Sequence, residues 1–232
     1  MKTVYLSSGE KGGAGKTVTA ILAAETLYAK HGPENMIAVE TDASNPDFGR
    51  RMRYLAGLQI ETANLREQNG WIELSNLVEK APNGATLIVN LPSQVELWDR
   101  EIPVLADAFD EIGVDVTVFW TINRQRDSLI LLEKARAAAT TSWKWVVCKN
   151  TYWGKPEEFQ LCDIWNAEKK LPVVLIPKAN DLFIIHIMTR PGCFSTLETT
   201  LDDNGNKEYT AHERSTAKQM LRSAAEQFST VL

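Results

Sequence analysis

From Ser7 to Ala20 the chain reads SSGEKGGAGKTVTA, which sets Lys11, Gly12, Gly13, Ala14, Gly15, Lys16, Thr17 and Val18 in one unbroken run. Glycines allow successive backbone N–H groups to turn inward around an anion, and a helix that starts there adds the positive end of its dipole. In that setting Lys16 has the reach to meet the outer phosphates of a nucleotide, and the Thr17 hydroxyl is placed to ligate magnesium. The run therefore reads as a phosphate cradle. The usual spacing, GxxxxGK[ST], would put its first glycine at position 10, which holds Glu10, so the run is KGGAGKT instead.

A cradle of this kind works only where a strand ends and a helix begins. Apolar, β-rich runs recur as TVYLSS, MIAVET, ATLIVNLP, VDVTVFWTI, WKWVVCKN and LPVVLIP. Between them, apolar residues at helical spacing predict helices over residues 17–30, 71–80, 97–112, 128–139, 157–169 and 213–230. Strand and helix in alternation imply an α/β fold with a parallel sheet, and near-continuous apolar strands imply burial on both faces. The expected architecture is three-layered and doubly wound, a mostly parallel sheet with helices on both faces and right-handed crossovers. With 232 residues, 44% of them hydrophobic, and no linker-like stretch, residues 1–232 are expected to form one domain that includes a C-terminal helix at about 211–231. The polar, turn-rich stretch 201–209 reads as an exposed loop.

The KGGAGKT form, with its early Lys11, resembles the deviant Walker A box of the ParA/MinD superfamily of P-loop ATPases. The resemblance implies ATP and Mg2+ as ligands. It gives Lys16 the in-cis phosphate contact and makes Lys11 the lysine that crosses a nucleotide-dependent homodimer to the partner's ATP. A positive charge delivered in trans would couple hydrolysis to dimerisation. In AVETDASNP, Glu40 takes the first acidic place and Asp42 matches the switch I aspartate that helps position the attacking water and the magnesium shell. The segment ATLIVNLPSQ resembles the Walker B and switch II strand, with Pro92, Ser93 and Gln94 in the turn, but Asn90 stands where the family carries aspartate. An amide can bond a magnesium-bound water without supplying the charge that favours the cation, so slow hydrolysis is expected. Asn150, closing WKWVVCKN, resembles the family's base-recognition asparagine and also fits a plain turn residue. Pro177 resembles the proline flanking the adenine.

Outside those motifs the chain narrows the choices by what it excludes. A net charge of −5 and a pI near 5.4 argue against a surface built wholly for nucleic acid. Local non-specific DNA binding would fall to Arg50, Arg51 and Arg53 with the stripe Arg214, Lys218 and Arg222, residues that equally make a solvated face. Cys148, Cys162 and Cys193 form no CxxC pair, which fits a reducing cytosol and a cytoplasmic location. His31, His186 and His212 show no metal spacing. No apolar run approaches the roughly 18 residues of a membrane span, and the C-terminal segment lacks the bulky apolar residues of a membrane-targeting helix. Trp143, Trp145, Trp153 and Trp165 suit either a partner surface or core filling.

The expectation that results is an ATP-dependent dimerising switch of ParA type with a protein partner or cargo. It would serve plasmid or DNA segregation, or the positioning of a conjugation or mobilisation complex. A low-turnover ATP-gated adaptor and a small-molecule ligase or kinase on the same fold are the alternatives; the ligase gives Lys11 no role.

Overall fold

The computed structural model describes residues 1–9, 12–93, 98–139 and 142–232, with the side chain of residue 98 left aside. Seven strands, β1 (Lys2–Ser8), β2 (Met36–Glu40), β3 (Gln59–Thr62), β4 (Thr86–Asn90), β5 (Val114–Ile122), β6 (Lys144–Asn150) and β7 (Val173–Ile176), form one sheet in the order β3-β2-β4-β1-β5-β6-β7. Every pairing is parallel, so the sheet is wholly rather than mostly parallel.

The strands alternate their side chains between two cores, which is why they read as continuous apolar runs rather than as hydrophobic–polar alternation. Val4, Leu6, Val39, Leu87, Val89, Val116 and Val118 point to one face. There they meet α3 (Gln68–Lys80), α4 (Trp98–Glu111), α5 (Asp127–Ala138) and α6 (Gln160–Lys169). Tyr5, Ala38, Ile88, Phe119, Val146 and Cys148 point to the other, against α1 (Lys16–His31), α2 (Asp47–Met52), α7 (Asp181–Thr189) and α8 (Ala211–Phe228). Phe119 stacks on Tyr5 with centroids 5.5 Å apart and meets Phe228 edge-on at 5.2 Å, fastening α8 to the middle of the sheet.

The helix expectations hold to within a few residues, and the differences have local causes. Residues 157–169 do not form one helix: Pro156–Phe159 is a 3₁₀ turn that leads into α6, as the fixed φ of Pro156 at its first position favours. Helix α8 starts at Ala211 because Thr210 and Glu213 form a capping box, and it closes at Phe228. The residue at 97, where the α4 expectation began, lies outside the described residues. The loop 201–209 is exposed along most of its length and joined by a Leu201–Lys207 bridge, but its end departs from expectation. Tyr209 is 1% exposed and donates from its hydroxyl to the Pro191 carbonyl at 2.8 Å.

Three elements have no counterpart in the sequence reading. Strand β3, QIET, is a short edge strand with no apolar run, paired only with β2. Helix α2 spans six residues, too few to show a period. Helix α7, DLFIIHIMT, is nearly all apolar, so periodicity cannot separate it from a strand; Asn180 fixes its start by accepting from the Phe183 N–H at 2.8 Å.

Of the tryptophans, Trp143 and Trp145 are buried and Trp165 is packed against the core, whereas Trp153 is exposed. Among the described residues no helix is long and apolar enough to cross a membrane, and no group of three His, Cys, Asp or Glu side chains gathers as a metal site.

Candidate nucleotide site

Strand β1 lies between β4 and β5, where the chain, after building outward through β2 to β3 and returning with β4 beside β1, crosses to build the other half. Ligands of open parallel sheets sit at such a switch point, beyond the carboxyl ends of the strands. The Gly-rich run leaves β1 at that point and enters α1.

The run's backbone demands glycine at two places. Gly13 has φ +77° and Gly15 has φ +101°, the left-handed region that other residues resist. A Cβ on Gly15 would lie 2.1 Å from the Asn150 amide nitrogen. Gly12 and Gly13 are exposed, and a Cβ on either would meet nothing within 4 Å among the described residues. Helix α1 follows with no side-chain cap and no acidic residue in its first turn, leaving its positive end available to an anion. Lys16 is 8% exposed, and burial pushes its ammonium down to about 8; Asp42 opposes that fall and Arg66 adds to it. The helix start is secured from beneath: the Ser7 hydroxyl donates to the Lys16 carbonyl at 2.9 Å, and Thr121 donates to the Thr19 hydroxyl at 3.0 Å. Thr17 and Val18 are half-buried on the first turn, and Ala14 is buried.

The ends of β2 and β4 close the other wall. Glu40 and Asn90 are register partners, and the Asn90 amide donates to Glu40 Oε1 at 3.0 Å. Glu40 also accepts from the Asp42 N–H and, through Oε2, the Gly49 N–H, each at 3.0 Å. Burial raises the Glu40 carboxyl above its ordinary range, against the pull of those donors. Asn90 Oδ1 is buried and has no hydrogen-bond partner among the described residues. Asp42 accepts from the Ser44 and Asn45 N–H groups at 3.2 and 3.3 Å, so it organises the turn after β2 rather than capping α2. Its Oδ1 lies 3.6 Å from Arg66 Nη2. Pro92 and Ser93 lead away from β4 as expected; Gln94 lies outside the described residues, and so does Lys11.

These features fit a nucleotide with its magnesium ion. Open glycine backbone, an uncapped helix start and a buried ammonium suit phosphate, and a buried acceptor without a donor suits a metal-bound water. Thr17, Asp42 and Asn90 are the residues that could hold such an ion.

On the side away from β4 the loop has a support from β6. Asn150 sits at the end of β6, and its amide donates to the Ala14 carbonyl at 2.7 Å and its Oδ1 accepts from the Tyr152 N–H at 3.1 Å. One hydrogen bond at each end of the carboxamide ties the cradle to the β6 turn, and the amide keeps a second N–H and a second lone pair for a further partner. Beside it a cleft of about 130 Å³ is walled by Val18, Tyr152, Pro177, Ala179 and Ile184, an apolar slot that includes the expected Pro177. Tyr152 and Ile184 were not anticipated; the first lies in a 3₁₀ turn and the second in α7.

Of the basic residues considered for DNA, Arg53 and Arg222 are exposed, and the other four are engaged with protein. Arg51 is buried and donates to the carbonyls of Met188 at 2.9 Å, Gly192 at 3.1 Å and Arg190, which makes it a strut beneath α7. Arg50 pairs with Asp47, Lys218 pairs with Glu198 at 2.6 Å, and Arg214 donates to the Tyr209 carbonyl.

No family model matches the chain. Protein MobD of Acidithiobacillus ferrooxidans is 31% identical over 160 residues, which are 69% of this chain and 68% of MobD. Among solved structures, the MinC:MinD cell division protein complex of Aquifex aeolicus superposes with a TM-score of 0.56 at 13% identity, covering 100% of this chain and 97% of that one. A plasmid partition protein from Borrelia burgdorferi aligns with a TM-score of 0.44 at 15% identity over 100% and 99% of the two chains.

Proposed function

We propose that the chain, which belongs to one family with MobD and shares the fold of MinD, is an ATP-binding switch of ParA/MinD type that dimerises with nucleotide and hydrolyses it slowly. The observation that carries the proposal is the buried Lys16 ammonium at an uncapped helix start, with the Asp42 carboxylate acting on its charge. In this reading residues 1–232 act as one nucleotide-binding domain. The backbone of Gly12, Gly13, Ala14 and Gly15 wraps the phosphates, Lys16 neutralises the outer ones, and Asp42 orients the attacking water. Thr17, Asp42 and, through water, Asn90 would hold magnesium, whose charge would offset that of the phosphates. Lys11 would reach the ATP of a second copy, so that the closed dimer exists only while the third phosphate does.

Asn90 supports slow turnover. The corner between β2 and β4 carries one carboxylate, Glu40, hydrogen-bonded to a neutral amide, where the family pattern supplies two acids. The same observation favours a second reading, an ATP-gated adaptor with little turnover. The likeness to MobD supports a partition or positioning role, in plasmid segregation or in placing a conjugation or mobilisation complex. A protein cargo, and local DNA contact, would be engaged by the dimer.

Light scattering after size exclusion tests the switch, using wild type and Lys11→Ala with ADP or a non-hydrolysable ATP analogue plus magnesium. The expected result is a dimer for wild type with the analogue alone and a monomer for Lys11→Ala throughout. Identical behaviour of both proteins in both nucleotides would contradict it.

A further inference from the structure

Arg66 was not singled out by any sequence motif, yet it stands where the walls of the site meet. Its guanidinium Nη2 lies 3.6 Å from Asp42 Oδ1, at the end of β2, and donates to the Ser93 carbonyl, beyond β4, at 3.4 Å. Both contacts are long, so the group is held between the two walls without being locked to either. Its charge also reaches Lys16, whose ammonium it helps to push down.

The loop presenting Arg66 is built rather than draped. The Ala63 N–H donates to the Glu40 carbonyl at 3.1 Å and the Leu65 N–H to the Thr41 carbonyl at 3.5 Å, extending the β2–β3 pairing past the strands' ends. The Leu65 side chain is fully buried, and its carbonyl accepts from the Trp71 indole at 3.0 Å. Asn64 ties the turn internally, accepting from the Arg66 N–H at 3.3 Å and donating to Glu67 at 2.8 Å. Gly70 lets α3 press against this turn: a Cβ there would come within 2.0 Å of the Asn64 carbonyl oxygen. Arg66 therefore projects from a fixed base while its own side chain is 39% exposed and able to swing.

We propose that Arg66 reads the third phosphate in cis: paired with Asp42 in the empty site, it turns to the terminal phosphate of bound ATP and thereby frees Asp42 for the attacking water. A planar guanidinium binds phosphate oxygens bidentately and is more weakly hydrated than an ammonium, so the exchange of partner is favourable once a dianionic phosphate is present. The exchange also gives the two walls a common response, because Arg66 leaves Asp42 and the Ser93 carbonyl together. ADP offers no terminal group at that depth and leaves the Arg66–Asp42 pair in place. The proposal rests on the ATP-binding reading above.

The test compares wild type, Arg66→Ala and Arg66→Lys by fluorescence anisotropy with a labelled non-hydrolysable ATP analogue and with labelled ADP, each with magnesium. Single-turnover phosphate release is measured beside it. Arg66→Ala is expected to lose about tenfold or more in affinity for the ATP analogue while ADP affinity stays within about twofold, and to release phosphate about a hundredfold more slowly. Arg66→Lys is expected to recover part of the binding and little of the rate. The melting temperature should be unchanged, since a half-exposed ion pair contributes little stability. An ATP-to-ADP affinity ratio equal to that of wild type overturns the proposal and leaves the ATP-binding reading standing. Equal loss of both nucleotides also overturns it, by making Arg66 a general electrostatic contact. A wild type that binds neither nucleotide overturns both.

Discussion

The two halves of the candidate site, phosphate side and base side, are built by opposite means. On the phosphate side the recognising atoms are mostly backbone and the deciding residues are neighbours in sequence: Gly12, Gly13, Ala14, Gly15, Lys16 and Thr17. On the base side the cleft is assembled by side chains from α1, the turn after β6, the segment after β7, and α7. A backbone cradle tolerates almost no change of residue type at Gly13 and Gly15, where φ disfavours any other residue. An apolar slot accepts many side chains of similar size. Asn150 joins the halves, since one end of its carboxamide holds Ala14 and the other starts the turn that carries Tyr152.

The sharpest way to break the contrast is Gly15→Ala. The new Cβ meets Asn150 at 2.1 Å and the residue keeps a strained φ, so nucleotide affinity should fall by about a hundredfold in an anisotropy titration. Asn150→Ala should cost about 1–3 kcal/mol in denaturant-induced unfolding, through the Ala14 carbonyl and Tyr152 N–H it abandons. If Asn150 couples the halves as described, the double variant will bind better than Gly15→Ala alone, because the clash is gone; simple additivity would contradict the coupling.

A smaller effect comes from pH. With the Lys16 ammonium at about 8 in the empty protein, raising pH from 7 to 9 removes the proton that phosphate binding requires. Affinity should then fall about tenfold, and the fall should vanish in Lys16→Arg. The stability of the empty protein moves the other way. The folded state holds fewer protons than the unfolded state between about 8 and the ordinary lysine value of 10.5, so this group's contribution to stability rises with pH over that range. Glu25 gives a matching control far from the phosphates. It is fully buried on α1, accepts from the Phe194 and Ser195 N–H groups at 2.9 and 2.6 Å, and has its carboxyl pushed up to about 7 by burial. Its raised value means the folded state holds the proton longer, so its contribution is present below about 4.5 and is lost as pH rises through about 7.

The smallest change expected is at Asn90. Asn90→Asp sets a second carboxylate against Glu40, where a 3.0 Å amide donor now sits, and should lower stability by about 1–2 kcal/mol without a divalent ion. Magnesium with ATP should restore the stability and raise turnover. Turnover and magnesium affinity equal to wild type would show that Asn90 does not limit hydrolysis.

The same contrast explains what the sequence made legible. Six of the seven strands and the phosphate run stand out because burial on two faces and φ constraints leave local marks, as in TLIVN and GGAGKT. Strand β3 leaves none: QIET is an edge strand whose place is set by pairing with β2. Arg66 was equally silent, since its position depends on β3 carrying the following loop to the β2 end. Asn150 was found for its place at a strand end, but the carbonyl its amide holds belongs to Ala14, 136 residues away, which no local pattern encodes. Arg51 misled for the same reason, a basic residue in a basic run whose charge is turned inward on three carbonyls.

The central claim is that the cradle between β1 and α1 binds ATP. Calorimetric titration of ATP with magnesium into wild type and into Lys16→Ala tests it most directly. Saturable binding at one site per chain in wild type, reduced at least about a hundredfold in Lys16→Ala, is the predicted result. No saturable heat in wild type, or equal affinity in the two proteins, would contradict it.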